Sequence, residues 1–464
     1  MVRDGNEAHR LTRPVVYVEA NIHAGEVEGK EAVLAMLRDL LLSGSAGAAG
    51  LLDSIVLVVV PIYNIDGNEA LAPQAANRPE QNGPELVGRR ANGAGLDLNR
   101  DFVKAEAPET RGTLALFAKW NPDVFLDLHT TDGSFHGYAL TYAPPLNPAA
   151  AVSGPYTRDT LLPEIQRRMR ERHGYETFPY GNFVPERGPL PDTVTHVWAT
   201  YDSRPRFGTN YFGLRGRIAI LSEAYSHDPF DRRVAVTRAF VRETLSLVAE
   251  RAGEIVAHSR AADSATVAWV TQPDNAPTIP IGSALSHTAS LGTVQAEDLE
   301  WTGDSVVTQP GVPRGVRRTG RVHPLAAAVL DRFEPTLSVP MPAAYAMPAE
   351  DTSAARLLQA HGIVVGVAHR SALATAETFQ VDSVIVAGEL FQGHHEVRLA
   401  GRWRMARDPV TLPPGTYVIR CDQPLGVLAV YLLEPRSDDG LVTWNIFDRE
   451  LRVGGTYPVM RILH

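Results

Sequence analysis

The chain has 464 residues, 44% hydrophobic and 21% charged, with a formal net charge of −9. That composition belongs to a globular protein of about two or three domains, and its acidic balance argues against nucleic acid, whose phosphates call for a basic face. The single cysteine, Cys421, excludes an internal disulfide and any metal site built from several thiolates, and no apolar run approaches the roughly 20 residues of a membrane span.

The opening segment MVRDGNEAHRLTR lacks the apolar stretch of an export signal. The first predicted element is the strand VVYVEA (15–20). It leads into His23-Ala24-Gly25-Glu26, after which Val33, Leu34, Leu37, Leu40 and Leu41 recur at helical spacing. GSAGAAG (44–50) reads as a flexible loop. SIVLVVVPIYN (54–64), VFLDL (124–128) and IAILS (218–222) are apolar on both faces, as in strands of a sheet covered on two sides. Leu161, Leu162, Ile165 and Met169 place a helix over 157–172, and Asp228-Pro229-Phe230-Asp231 opens a long one over 231–258. Residues 1–262 therefore read as an α/β domain, a mixed central sheet with helices on both faces.

The texture then changes. Residues 263–340, rich in Pro, Thr, Val and Gly, read as a β-rich connecting segment. Residues 341–464 read as a smaller β-rich, sandwich-like domain. One helix (354–360) stops there at Gly362, followed by FQVDSVIVAG, HHEVRLAG, GTYVIRC and GVLAVYLLE as short strands.

The residues that carry chemistry stand at strand ends. A histidine and a glutamate three residues apart, where a strand turns into a helix, can face one metal ion, and His129 follows another apolar run. Two imidazoles and one carboxylate leave a fourth position for water, the donor set of catalytic zinc. Alone, HxxE is weak: among 15 histidines, about one match arises by chance. Its companions arrive in a fixed order: Asn64-Ile65-Asp66-Gly67, then GLDLNRDF (95–102), then Asp127-Leu128-His129-Thr130, then a strand ending in Ser222-Glu223-Ala224-Tyr225.

These words, in this order over residues 15–260, resemble the M14 (carboxypeptidase A-like) zinc metallocarboxypeptidases, in a divergent bacterial-type branch with a β-rich C-terminal domain. The resemblance implies one Zn2+ per chain, held by His23, Glu26 and His129. Glu223 would be the general base, taking a proton from water and passing it to the leaving amine. Arg90, ten residues before Arg100, would polarise the scissile carbonyl, with Arg89 as a neighbouring competitor. Asn99 and Arg100 would grip the substrate's terminal carboxylate, a task suited to guanidinium geometry. A tyrosine should close over the substrate, and both Tyr201 and Tyr211 are candidates. The specificity pocket would lie near 207–213, where no acidic residue selects a basic side chain; Asp202 is the nearest.

The implied activity is hydrolysis of the C-terminal peptide bond through a zinc-activated water. One alternative is a zinc amidohydrolase or deacylase acting on a small acylated amino acid, separated by the Asn99-Arg100 clamp. Another is a non-catalytic peptide-binding module, against which the intact Glu223 speaks. A peptide or small amide is thus the expected partner. His136 reads as a surface-loop histidine and His394-His395 as strand-face residues, while His196 and His227 receive no role. Only about fourteen residues precede the first strand, so either further elements lie upstream or the sheet has an unusual exposed edge. An upstream export signal would make the protein extracellular or periplasmic; otherwise it is expected in the cytoplasm.

Overall fold

A computed structural model of the chain describes residues 3–42, 46–185, 196–271, 278–286, 290–303 and 311–463. Its centre is a six-stranded sheet in the order Val56–Val60, Val15–Ala20, Val124–Thr130, Ile218–Ala224, Leu140–Ala143, Thr177–Pro179. The first four strands are parallel, and Leu140–Ala143 runs antiparallel to Ile218–Ala224. The strands read as apolar runs because both faces are covered. On one face Val16, Val18, Leu126 and Ile220 pack with Val33, Met36, Val236 and Phe240 of the helices Glu28–Leu42 and Phe230–Glu250. On the other, Tyr17 and Phe125 meet Phe117 and Phe212. The Phe125 and Phe212 rings stack at 4.1 Å, and Phe117 meets Phe212 edge-on at 4.0 Å.

Chain order places the site. The chain leaves Val15–Ala20 for the neighbour on one side, Val56–Val60, and later enters Val124–Thr130 on the other side. The carboxyl ends of Val15–Ala20 and Val124–Thr130 therefore flank a topological switch point, where open α/β sheets form their ligand crevice. His23 and His129 stand there. One edge of the sheet is Val56–Val60, half-buried along its length, and the other is Thr177–Pro179.

Several local expectations change. Residues 46–50, read as loop, begin the helix Ala46–Ser54, and 44–45 lie outside the described residues. The helix over 231–258 is two helices, Phe230–Glu250 and Ala252–Thr271, so the boundary expected after 262 falls inside a helix. In the segment read as connecting, Ser290–Trp301 and Val316–Leu330 form an antiparallel ladder. That ladder continues onto His196–Ala199 and Asn182–Val184, making one four-stranded sheet.

The β-rich C-terminal region has a six-stranded sheet in the order Gly366–Val367, Tyr417–Arg420, Ala344–Met347, Met460–Ile462, Ala376–Phe391, His394–Met405. GVLAVYLL, read as a strand, is the helix Gly426–Leu433, with every residue buried. A short apolar run buried all round fits either element by pattern alone. This helix packs with the sheet: Tyr345 bonds to Glu434 at its end, and Tyr457 donates to the Leu433 carbonyl. Tyr345, Phe379, Leu428 and Trp444 belong to the same buried cluster as Tyr17 and Phe212, so one core joins this region to the central sheet. Among the described residues, no helix is long and apolar enough to cross a membrane.

Candidate metal and catalytic site

The turn after the first strand begins at Asn21, whose φ of 63° lies in the left-handed region that asparagine tolerates. The Glu26 amide then donates to the His23 carbonyl at 2.9 Å. That tight turn brings both side chains to one side: His23 Nδ1 lies 3.0 Å from Glu26 Oε1. His129 comes from the neighbouring strand, its Nδ1 lying 3.0 Å from Glu26 Oε2. One ligand atom from each of the three residues lies within 4.8 Å of the others, and all three residues are buried.

The far sides of the rings are also held. His23 Nε2 is 3.0 Å from Asp97 Oδ1, and His129 Nε2 is 3.0 Å from Asp127 Oδ2. The Asp97 carboxylate behind His23 is the usual support of a metal-bound histidine, while His129 Nε2 also lies 3.2 Å from Asn99 Nδ2. Glu26 is braced by Arg78, buried, whose Nη1 donates to Oε1 at 2.8 Å, and by the Thr130 amide, 2.9 Å from Oε2. Burial disfavours the charge on Glu26, but Arg78 and His23 outweigh it and hold the carboxyl well below its ordinary range. Burial likewise opposes charge on His129, yet Asp127 and Glu26 push it well above the usual histidine value. Surroundings that draw positive charge to His129 suit a dication, so the donor set fits zinc in both chemistry and field.

Glu223 is the register partner of His129 on the adjacent strand. Burial drives its carboxyl well above the ordinary value; His129 opposes this, and Glu26 and Asp132 add to it. Glu223 shares a cavity of about 100 Å3 with His23, Glu26, His129, Arg90, Asn99, Arg100 and Tyr201. Thr130, Asp132, Tyr180, Phe207, Thr209 and Leu221 complete the lining. Arg90 donates from Nε to Asp97 at 3.0 Å and brings Nη1 to 3.7 Å from Glu26, whereas Arg89 turns away to the Asn92 carbonyl. Asn99 accepts the Gly208 amide at 2.9 Å. Arg100 lies over the Phe207 ring at 3.9 Å and donates to its neighbour's carbonyl; among the described residues it makes no ion pair. Burial, with Arg90 alongside, loosens its hold on the proton despite Asp97.

Two expectations are corrected. Tyr211 does not reach the cavity: it is fully buried in the helix Gly208–Leu214, bonded to His361 at 2.7 Å. Tyr201 does line the cavity, and its hydroxyl has no hydrogen-bond partner among the described residues. His136 is not a surface residue. The 290–330 ladder covers it through a backbone bridge to Ala296, its ring packs 4.2 Å from Tyr225, and burial lowers its pKa to about 3. Sequence reading assigned no role to Arg78, Asp132 or Tyr180, which stand in no motif. Asp97 lay within GLDLNRDF and had a usable signal: a carboxylate two residues before the Asn-Arg pair.

Residues 1–186 match the family model described as zinc carboxypeptidase, Peptidase_M14. Carboxypeptidase 2 of Trichophyton rubrum is 22% identical over 459 residues, covering 96% of this chain and 76% of its own. Carboxypeptidase 2 of Trichophyton tonsurans is 21% identical over 476 residues, covering 98% and 77%. Among solved structures, a metallo-carboxypeptidase from Pseudomonas aeruginosa is 19% identical with a TM-score of 0.37, covering 52% of this chain and 58% of that one. The present chain thus spans a little over half of that structure's length. The motif order, the convergent His-Glu-His set and the family match agree: residues 1–186 are similar to the zinc carboxypeptidase domain of the M14 peptidases, a family of peptide-bond hydrolases.

Proposed function

We propose that this protein is a zinc-dependent metallocarboxypeptidase that releases the C-terminal residue of a peptide. The observation that carries this reading is Arg100, a largely enclosed guanidinium without an ion-pair partner among the described residues, lining the same cavity as the His-Glu-His set and Glu223. A cation enclosed beside Arg90 invites an anion, and a substrate's free carboxylate supplies one with matching geometry.

His23, Glu26 and His129 would hold zinc, which when bound supplies a Lewis acid for the carbonyl and lowers the pKa of water. Glu223, its proton affinity raised by burial, serves as the base that takes a proton from the attacking water and returns it to the leaving amine. Arg90, part-exposed to the cavity, stabilises negative charge developing on the carbonyl oxygen. Arg100 and Asn99 anchor the terminal carboxylate, and Tyr201 is the tyrosine that meets the bound substrate. Phe207, Thr209 and Leu221 give the cavity neutral walls, which favours an uncharged terminal side chain.

The experiment is metal analysis of the purified protein, followed by hydrolysis of blocked peptides with free and amidated C-termini. One zinc per chain, with turnover confined to free-ended peptides, is expected. Equal turnover of both peptide forms would remove the exopeptidase reading.

A further inference from the structure

The active-site cavity is lined by residues of the first half of the chain, yet the segment that orients it is tied to a residue almost 300 positions later. Gln392 stands at the tip of the hairpin Ala376–Phe391/His394–Met405. Its Oε1 accepts the backbone N–H of Asp97 at 2.8 Å. Asp97 in turn gathers three parts of the site. Its carboxylate lies 3.0 Å from His23 Nε2, accepts the Asn99 amide at 3.0 Å, and accepts Arg90 Nε at 3.0 Å. The short turn Leu98–Arg100 starts from it, so the direction of the carboxylate clamp also depends on where Asp97 sits.

A second observation points the same way. Phe391 pairs with His394, leaving Gln392-Gly393 as a two-residue turn with φ values of 51° and 82°. Positive φ at both positions is the type I′ geometry, which favours Asn, Asp or Gly at the first position. Gln is a poor choice for that turn alone, and a residue held in an unfavourable conformation suggests a task for its side chain. The tip is pinned on both sides: Phe391 lies under the Arg206 guanidinium at 5.2 Å, and His394 Nε2 is 3.0 Å from Glu106.

We infer that Gln392 is a positioning residue for the metal site: it fixes the Asp97 backbone, and through Asp97 it sets the ring of His23 and the Asn99-Arg100 turn. The inference rests on the zinc site proposed above. It makes the C-terminal region part of the working site, supplying one hydrogen bond from outside the domain that holds the ligands. Residues behind metal ligands change metal affinity or activity about 10–100-fold when lost. Gln392 acts one step further out, so the lower end of that range is expected.

The test uses Gln392→Gly in the full-length protein. Glycine relieves the turn, so this variant should fold at least as well as the parent, yet it has no amide to offer Asp97. Zinc release to a chelator from the loaded protein, and amide hydrogen exchange over 96–100 in the zinc-free protein, are the two readouts. Gln392→Gly should release zinc about ten-fold faster and exchange faster over 96–100. Gln392→Glu, which keeps an acceptor, and Glu389→Ala, an exposed change on the same hairpin, should stay within about three-fold of the parent in both. Parent-like zinc release and exchange in Gln392→Gly would overturn the inference, as would a Gln392→Glu variant as impaired as Gln392→Gly. A parent protein that binds no zinc would instead overturn the metal reading, and with it this one.

Discussion

Tyr211 donates its hydroxyl hydrogen to Nδ1 of His361 at 2.7 Å, while Nε2 of the same ring donates to the Val103 carbonyl at 3.0 Å. The carbonyl can only accept, so Nε2 carries the hydrogen and Nδ1 is the acceptor. The pair ties the helix Gly208–Leu214, beside the cavity, to the turn after Thr352–Ala360. It also makes Tyr211 a structural residue. Replacing it with Phe leaves a buried acceptor unsatisfied, at about 1–3 kcal/mol of stability. Denaturant unfolding should record that loss while peptide hydrolysis stays at the parent rate. A large fall in turnover with unchanged stability would return Tyr211 to the active site.

The same burial sets an acid limit on the fold. Burial lowers His361 to about 4, His227 to about 4 and His136 to about 3. In the unfolded chain they titrate near 6.5. Above roughly pH 6.5 they are neutral in both states and their contribution is complete. As pH falls from there toward 4, the unfolded chain binds protons that the folded one refuses, and stability drops. For His361 alone the loss reaches about 3 kcal/mol by about pH 4. Unfolding midpoints measured at pH 7.5, 6 and 5 should therefore decline, most steeply between the last two. Equal midpoints across that range would contradict the buried neutral histidines.

Arg78 is the brace of Glu26. With Arg78→Met, the buried Glu26 carboxylate loses its nearest permanent cation, a change that typically costs about 3–5 kcal/mol. The zinc-free protein should show that destabilisation, and zinc should recover part of it by binding only the folded chain. If zinc-free Arg78→Met unfolds at the parent's denaturant concentration, Arg78 is not the partner that keeps Glu26 charged.

For the base and the ligands, the expected phenotypes differ. Glu223→Gln should keep zinc and fold while turnover falls about 10²–10⁴-fold. His129→Ala should lose most of the metal, since only two of the three protein ligands remain. Metal content and initial rates measured on the same preparations separate the two. Glu223→Gln active within a few-fold of the parent would leave Glu223 a structural carboxylate.

How much of this could be read from the residues follows from where each signal lies. The strands of the central sheet were readable because burial on both faces writes an unbroken apolar run. The candidate metal set and the strand position of Glu223 were readable because they sit in the few residues where such runs end. Tyr201 and Tyr211 could not be separated, because ring direction depends on a helix, Gly208–Leu214, that turns one of them into the core. His136 looked exposed because its cover comes from a ladder beginning more than 150 residues later. The boundary expected after 262 marked a change of composition and fell inside Ala252–Thr271, because apolar side chains on both sides of it merge into one core. Gln392 had no signal at all: a hairpin-tip residue shows its purpose only when the tip touches something.

The most direct test of the account is a two-by-two comparison of kcat/KM, with parent and Arg100→Ala enzyme on one blocked peptide bearing either a free or an amidated C-terminus. Removing one member of a desolvated charged pair typically costs about 2–5 kcal/mol, so Arg100→Ala should lose about 30-fold or more on the free-ended peptide. On the amidated peptide, already a poor substrate for the parent, the same substitution should change little, because that substrate never used the contact. If the parent turns over both peptides equally and Arg100→Ala slows both alike, the carboxylate clamp is absent and the carboxypeptidase reading fails.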